Sequence, residues 1–151
     1  MTVRRVAPKP TKRANVRFVD TNVLIYAISD ETEPVKAARA NEILLARDLG
    51  LSVQVLQEFY AQATRQSRPD HITHEQAASF IDVLRRFPIQ DVTVGLMLAA
   101  FEMRTRFQIS YWDAAIIEAA RRLGCGVVLT EDLSDGQDYA GVRVENPFRD
   151  C

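Results

Sequence analysis

Cysteine is almost missing from this chain: Cys125 and Cys151 are the only two in 151 residues. Two thiols cannot build the disulfide framework of a small secreted domain, and a reducing cytoplasm is the simplest setting. Histidine is equally scarce. His71 and His74 stand three apart with no cysteine or third histidine near them, so a transition-metal site of the zinc type lacks ligands. No apolar run is long enough to span a bilayer, and the N-terminal stretch lacks the apolar core of a secretory signal. Lysine is confined to Lys9 and Lys12 near the start and Lys36 beyond, leaving arginine to carry most of the positive charge.

What is present suits one domain with a real core: 47% of residues are hydrophobic and 26% charged. The net charge of −1 hides an uneven distribution. Arg4, Arg5, Lys9, Lys12, Arg13 and Arg17 are unopposed by any acid through residue 17, so the body that follows is markedly acidic. Residues 1–15 read as a basic, disordered arm and residues 16–151 as a single folded domain. The arm is either a solvated tail or a tether for RNA phosphates.

Along that domain, short apolar runs alternate with longer amphipathic stretches. Val16–Val19 reads as a first strand ending at Asp20, and Asn22–Ser29 as a short helix. Pro34–Leu49 reads as a helix with proline near its start and Gly50 as its stop. Leu51–Val53 is a brief strand, and Gln54–Arg65 is helical by periodicity. Thr73 and Gln76 have the spacing of a capping box opening a helix to about Arg86. Gln90–Val92 is a third strand. Thr93–Arg106 and Ser110–Leu123 are two further helices, the second stopped by Gly124. Val127–Leu129 is the clearest buried strand, and Val142–Val144 is the last. This alternation predicts an α/β fold, a three-layer α/β/α sandwich around a mainly parallel sheet. Ligands of such folds bind beyond the carboxyl ends of the strands.

Asp20 and Asp132 both fall just past a strand end. Asp20 equally suits a helix N-cap, and Asp132 a turn, and spacing does not fix which of Glu131, Asp132 and Asp135 faces inward. Glu58 lies on the margin of the apolar stripe formed by Val55, Leu56, Phe59, Tyr60 and Ala63, where it either leans inward or stays solvated. Asp113 is drawn toward the apolar face of its helix, although Ser110-x-x-Asp113 is also a capping pattern. Taken singly, each acid has an ordinary structural explanation. Together the four fit one oxygen-lined pocket, which like-charge repulsion makes tenable mainly around hard cations. Mg²⁺ or Mn²⁺, one or two ions, would then activate water for attack on a phosphodiester without any His, Ser or Cys nucleophile.

In this order, Phe18–Tyr26, Ser52–Phe59, Ile109–Ile117, Leu129–Leu133 and Glu145–Phe148 resemble the PIN domain, most closely the VapC-type toxins of bacterial toxin–antitoxin pairs. The resemblance covers about Val16 to Phe148. It implies that Asp20, Glu58, Asp113 and Asp132 form the catalytic, metal-holding quartet, that Asn22 orients the first carboxylate, and that Thr130 is a polar neighbour. It further implies cleavage of single-stranded RNA, a homodimer and a cognate antitoxin.

Arg65, Arg68, Arg85 and Arg86, with Arg104 and Arg106, are candidates to line an RNA path, since an acidic pocket needs cations nearby to accept phosphate. Their alternative is a solvated helix surface. Two other functions compete with the ribonuclease. An aspartyl-nucleophile phosphatase would want an acid at position 22 and a late lysine, but position 22 is Asn and the only lysine beyond the arm, Lys36, comes too early. A non-catalytic RNA- or protein-binding module would be signalled by a lost carboxylate, and none of the four is lost.

Overall fold

Strands β1 (Arg13–Val19) and β4 (Cys125–Leu129) lie side by side and parallel at the centre of a six-stranded sheet. The computed structural model describes residues 13–151. The basic arm expected ahead of the domain falls, through residue 12, outside the described residues, and β1 starts at Arg13 rather than Val16. Outward from the centre come β2 (Leu49–Ser52) and β3 (Ile89–Gln90) on one side, and β6 (Val142–Glu145) and β5 (Asp138–Tyr139) on the other. All pairings are parallel except β5 with β6.

Helices α1 (Thr21–Ala27), α2 (Pro34–Leu44), α3 (Val53–Ala63), α4 (His74–Leu84), α5 (Val94–Phe107) and α6 (Tyr111–Arg122) complete the three-layer α/β/α sandwich. Helix α6 packs on the sheet and on α5, while α1 packs on α2 and α3. A sheet covered on both faces buries successive residues, and Phe18, Val19, Val128 and Leu129 are all buried. No helix among the described residues is long and apolar enough to cross a membrane.

Most helix starts obey their local chemistry. Thr73 and Gln76 form the reciprocal capping box expected of them, and Ser52, Thr93 and Ser110 each accept from a first-turn N–H. The boundaries around β2 differ from expectation: Val53, read as the end of a strand, opens α3. The helix read over Pro34–Leu49 ends at Leu44, and Gly50 lies inside β2, not at a helix stop. Leu49 and Leu51 are core residues, and β2 pairs with β1 through Arg17–Leu49 and Phe18–Gly50. Glycine serves close approach there: a Cβ would meet Leu123 Cδ1 at 3.0 Å and Cys125 Sγ at 3.2 Å. Strand β5 was not foreseen either, because its hairpin turns on Ala140 (φ 54°) and Gly141 (φ 96°), without the Asn-Gly or Asp-Gly signal of such turns.

Candidate active site

The strand order reverses direction at β1, which connects onward to β2 on one side while β4 lies on the other. In open α/β sheets ligands bind beyond the carboxyl ends of the strands at such a reversal, here β1 and β4. Asp20 follows β1 directly, and Thr130, Glu131 and Asp132 follow β4.

Asp20 is 5% exposed. One carboxylate oxygen, Oδ1, accepts from the Thr21 N–H at 2.7 Å, making Asp20 the N-cap of α1. The other, Oδ2, accepts from the Thr130 hydroxyl at 2.7 Å. Capping and a site role thus coexist in one side chain. Burial pushes the Asp20 carboxyl up to about 7, assisted by repulsion from Asp132 and Glu58 and opposed by the hydrogen bonds from Thr130 and Thr21.

Thr130 is fully buried and joins three parts of the site. Besides donating to Asp20, its Oγ1 accepts from Asn22 Nδ2 at 3.0 Å and from the Asp132 N–H at 3.1 Å. Asn22 Nδ2 also donates to Asp132 Oδ2 at 3.1 Å. Asn22 therefore bears on Asp20 through Thr130 and on Asp132 directly. Its own Oδ1 is buried and accepts no hydrogen bond among the described residues.

Glu58 is brought to the same end of the sheet because Ser52, the last residue of β2, caps α3 and starts it there. Thr21 Oγ1 donates to Glu58 Oε2 at 2.7 Å, and Gln54 Nε2 donates to Oε1 at 3.0 Å. Both oxygens are thereby held, by a residue of α1 and by the residue one turn earlier on α3. Asp113 lies in the first turn of α6, where its N–H is capped by Ser110. Its carboxyl is raised by partial burial and by Asp132 and Glu58, against the lowering effect of Ser110. Asp20 and Asp113 are thus both raised in part by repulsion from Asp132 and Glu58.

Among the described residues, no three Asp, Glu, His or Cys side chains are drawn together tightly enough to cage an ion as they stand. The donor set nevertheless suits a hard cation. It is entirely oxygen, it includes a buried carboxylate whose ionised form burial opposes, and it has an orphaned amide oxygen on Asn22. Asp20, Glu58, Asp113 and Asp132 are the residues able to hold one.

The arginines considered for RNA separate by what they already bind. The Arg68 guanidinium donates to Ser29 Oγ at 2.6 Å and to the Asp70 carbonyl at 2.6 Å, tying the α1 end to the α3–α4 loop. Arg86 donates to the Leu44 carbonyl at 2.6 Å, at the end of α2. Arg85 pairs with Asp82 on an exposed face. Arg65, Arg104 and Arg106 are exposed.

Sequence reasoning missed Gln54 and the triad of Tyr26, Lys36 and Glu131. Gln54 had a legible signal in its four-residue spacing from Glu58 on one helix face. The triad had none. The Tyr26 hydroxyl donates to Glu131, and Lys36 Nζ reaches Tyr26 Oη at 3.1 Å and Glu131 Oε2 at 3.2 Å. The Tyr26 ring meets Phe148 edge-on at 4.8 Å, which places the C-terminal Asn146-Pro147-Phe148 segment behind the network. Lys36 is raised above its ordinary value by its bond to Tyr26 and by Glu131. This cluster engages both Glu131 oxygens and ties the loop after β4, next to Asp132, to α1 and α2.

Residues 17–134 match the family model described as PIN domain. The fold is similar to that of VapC20 from Mycobacterium tuberculosis, a sarcin-ricin-loop-cleaving toxin, with a TM-score of 0.63 and 22% identity over 77% of this chain and 91% of that one. It is likewise similar to VapBC2 from Rickettsia felis, solved bound to a promoter DNA fragment, with a TM-score of 0.60 and 22% identity over 86% of this chain and 97% of that one. A toxin–antitoxin complex from Klebsiella pneumoniae gives a TM-score of 0.63 and 19% identity over 87% of this chain and 97% of that chain. No curated protein matches the chain.

Proposed function

The chain belongs to the PIN domain family, and from that premise we propose that it is a metal-dependent endoribonuclease and the toxin of a toxin–antitoxin pair. The observation that carries the reading is Asp20: a buried carboxylate just beyond the carboxyl end of β1, repelled by Glu58 and Asp132. Such a group is costly unless a cation is its partner.

Asp20, Glu58, Asp113 and Asp132 would hold one or two Mg²⁺ or Mn²⁺ ions. A bound ion of this kind acidifies water for attack on the phosphodiester and stabilises charge on the phosphate. The chain itself supplies orientation. Thr130 fixes Asp20, Thr21 and Gln54 fix Glu58, and Asn22 holds Asp132. Arg65, Arg68, Arg85 and Arg86 are the proposed RNA contacts. Arg65 is the most available of them, given the partners that Arg68, Arg85 and Arg86 already have.

A cognate antitoxin is proposed because similar solved folds are toxin–antitoxin complexes. A homodimer is proposed on the exposed apolar stripe of α5, where Val94, Leu98 and Phe101 recur at i, i+4 and i+7. The setting is the cytoplasm, where such a pair and its RNA would meet.

The test is cleavage of a labelled structured RNA by purified protein with Mg²⁺, Mn²⁺ or EDTA, beside Asp20→Asn. Cleavage that needs metal and disappears in the variant supports the ribonuclease. Absence of cleavage, with no metal binding by calorimetry, would return the protein to the alternative of a non-catalytic binding module.

A further inference from the structure

Resting on that reading of the acidic site, we infer that Trp112 is a stacking platform for an unpaired base of the RNA strand beside the scissile phosphate. Trp112 is the only tryptophan in the chain and is 63% exposed. A lone exposed aromatic needs no explanation by itself. Three ties to the site distinguish this one.

First, it precedes Asp113 in the opening turn of α6. Second, its carbonyl accepts from Gln54 Nε2 at 3.3 Å, and the same amide nitrogen donates to Glu58 Oε1 at 3.0 Å. One side chain therefore sets both the backbone under the indole and a carboxylate of the quartet. Third, the ring is held in place. Tyr111 meets it edge-on with centroids 5.0 Å apart, and Phe101 supports Tyr111 at 5.4 Å. A ring ordered in advance gives up little freedom when it binds.

The charge around the site gives the platform its purpose. An acidic quartet repels the phosphate it must admit, so affinity has to come from its surroundings. Of the proposed RNA contacts, Arg68, Arg85 and Arg86 also hold partners within the fold, which leaves Arg65 and uncharged contacts to supply much of the affinity. Stacking on a neutral base needs no cation and tolerates any sequence, since every base has a π face. Duplex RNA hides those faces, so the platform selects unpaired nucleotides.

The test uses the intact chain and an unstructured RNA of ~8 nucleotides, a length within the span of one single-strand site. In an Asp20→Asn background that prevents cleavage, tryptophan emission comes from Trp112 alone and is quenched saturably as the RNA is added. In the otherwise unaltered protein, Trp112→Ala raises KM about 5- to 100-fold, the range of one lost base stack, while kcat stays nearly level. Trp112→Phe retains most of the affinity. RNA that binds by anisotropy without quenching, or a Trp112→Ala variant with unchanged KM, overturns the platform and leaves the ribonuclease standing. So does emission that follows protein concentration instead of RNA, with a dimer lost in Trp112→Ala, which would assign the ring to a contact between copies. RNA neither bound nor cleaved by the unaltered protein overturns the ribonuclease reading and the platform with it.

Discussion

The Thr130 hydroxyl donates to Asp20 Oδ2 at 2.7 Å, linking the loops that leave the two central strands. The same oxygen accepts from Asn22 and from the Asp132 N–H, so its single proton has one direction left to point. Thr130 therefore acts as a one-way connector: it receives from the Asp132 side and gives to Asp20.

Thr130→Val keeps the shape and removes the connector. The Asp132 N–H and the Asn22 amide lose an acceptor, and the buried Asp20 loses a donor. Stability should fall by about 1–3 kcal/mol, measured by urea unfolding. Ribonuclease turnover should fall roughly 10- to 100-fold, the usual cost of losing a partner that orients a metal-holding group. Thr130→Ser, which keeps the hydroxyl, should retain most of both. Equal turnover in Thr130→Val and the unaltered protein would show that Asp20 needs no such fixing.

The sequence was informative where chemistry is local. Helix caps, the apolar strands β1 and β4, and the placement of Asp20 and Asp132 past strand ends all follow from short-range patterns. It was uninformative where distant segments decide the outcome. Leu49 continues the apolar spacing of a helix, and only its pairing with Arg17 places it in a strand. Lys36 and Glu131 are 95 positions apart, and no local pattern announces that they meet. The proposed quartet is read from the sequence only as an ordered set, through its resemblance to a family, since each acid alone has an ordinary structural explanation. Of the side chains that orient it, Asn22 and Thr130 come with the same resemblance, whereas Thr21 and Gln54 reach Glu58 through the tertiary fold, Gln54 with a local signal as well.

Asp20 makes the metal-free protein sensitive to pH. Its carboxyl lies near 3.8 when unfolded and is pushed up to about 7 by burial in the fold. The folded state thus keeps a proton that the unfolded chain releases, and this contribution to stability is lost as pH rises from about 4 to about 7. The loss is bounded at about 4 kcal/mol, the equivalent of a shift of that size. In EDTA, the melting temperature should fall between pH 5 and pH 8, and Mg²⁺ or Mn²⁺ should restore it at the upper end. Asp20→Asn should flatten the slope. A melting temperature that rises over this range in EDTA, equally in both proteins, would contradict the assignment.

Glu58 is held at both oxygens, by Thr21 at 2.7 Å and Gln54 at 3.0 Å. Removing one tether leaves the other, so single variants should be mild and the pair severe. Thr21→Val and Gln54→Ala should each lower kcat by about 3- to 10-fold, and the double variant by more than their product, a coupling of roughly 0.5–3 kcal/mol between residues sharing one partner. Single-turnover cleavage at saturating metal is the measurement. Strict multiplicativity would mean that the two tethers act on different things.

Lys36 tests whether the β4 loop needs an anchor outside the quartet. Its side chain is 24% exposed, and its ammonium is bonded to Tyr26 Oη and Glu131 Oε2 and lies 4.6 Å from the centroid of the Tyr26 ring. Lys36→Met keeps the aliphatic stem packed there but leaves Glu131 charged beside the Tyr26 hydroxyl without its cation. Because the pair is partly exposed, the cost should be only about 1 kcal/mol, seen as a small drop in melting temperature. The functional effect should be larger in proportion. Glu131 adjoins Asp132, and a loop freed to swing would weaken metal binding several-fold by calorimetry. Adding Glu131→Gln to Lys36→Met should recover stability, since the unpaired charge is gone, without recovering metal affinity, since the loop still lacks its ammonium anchor. Recovery of both would reduce the triad to charge balance alone.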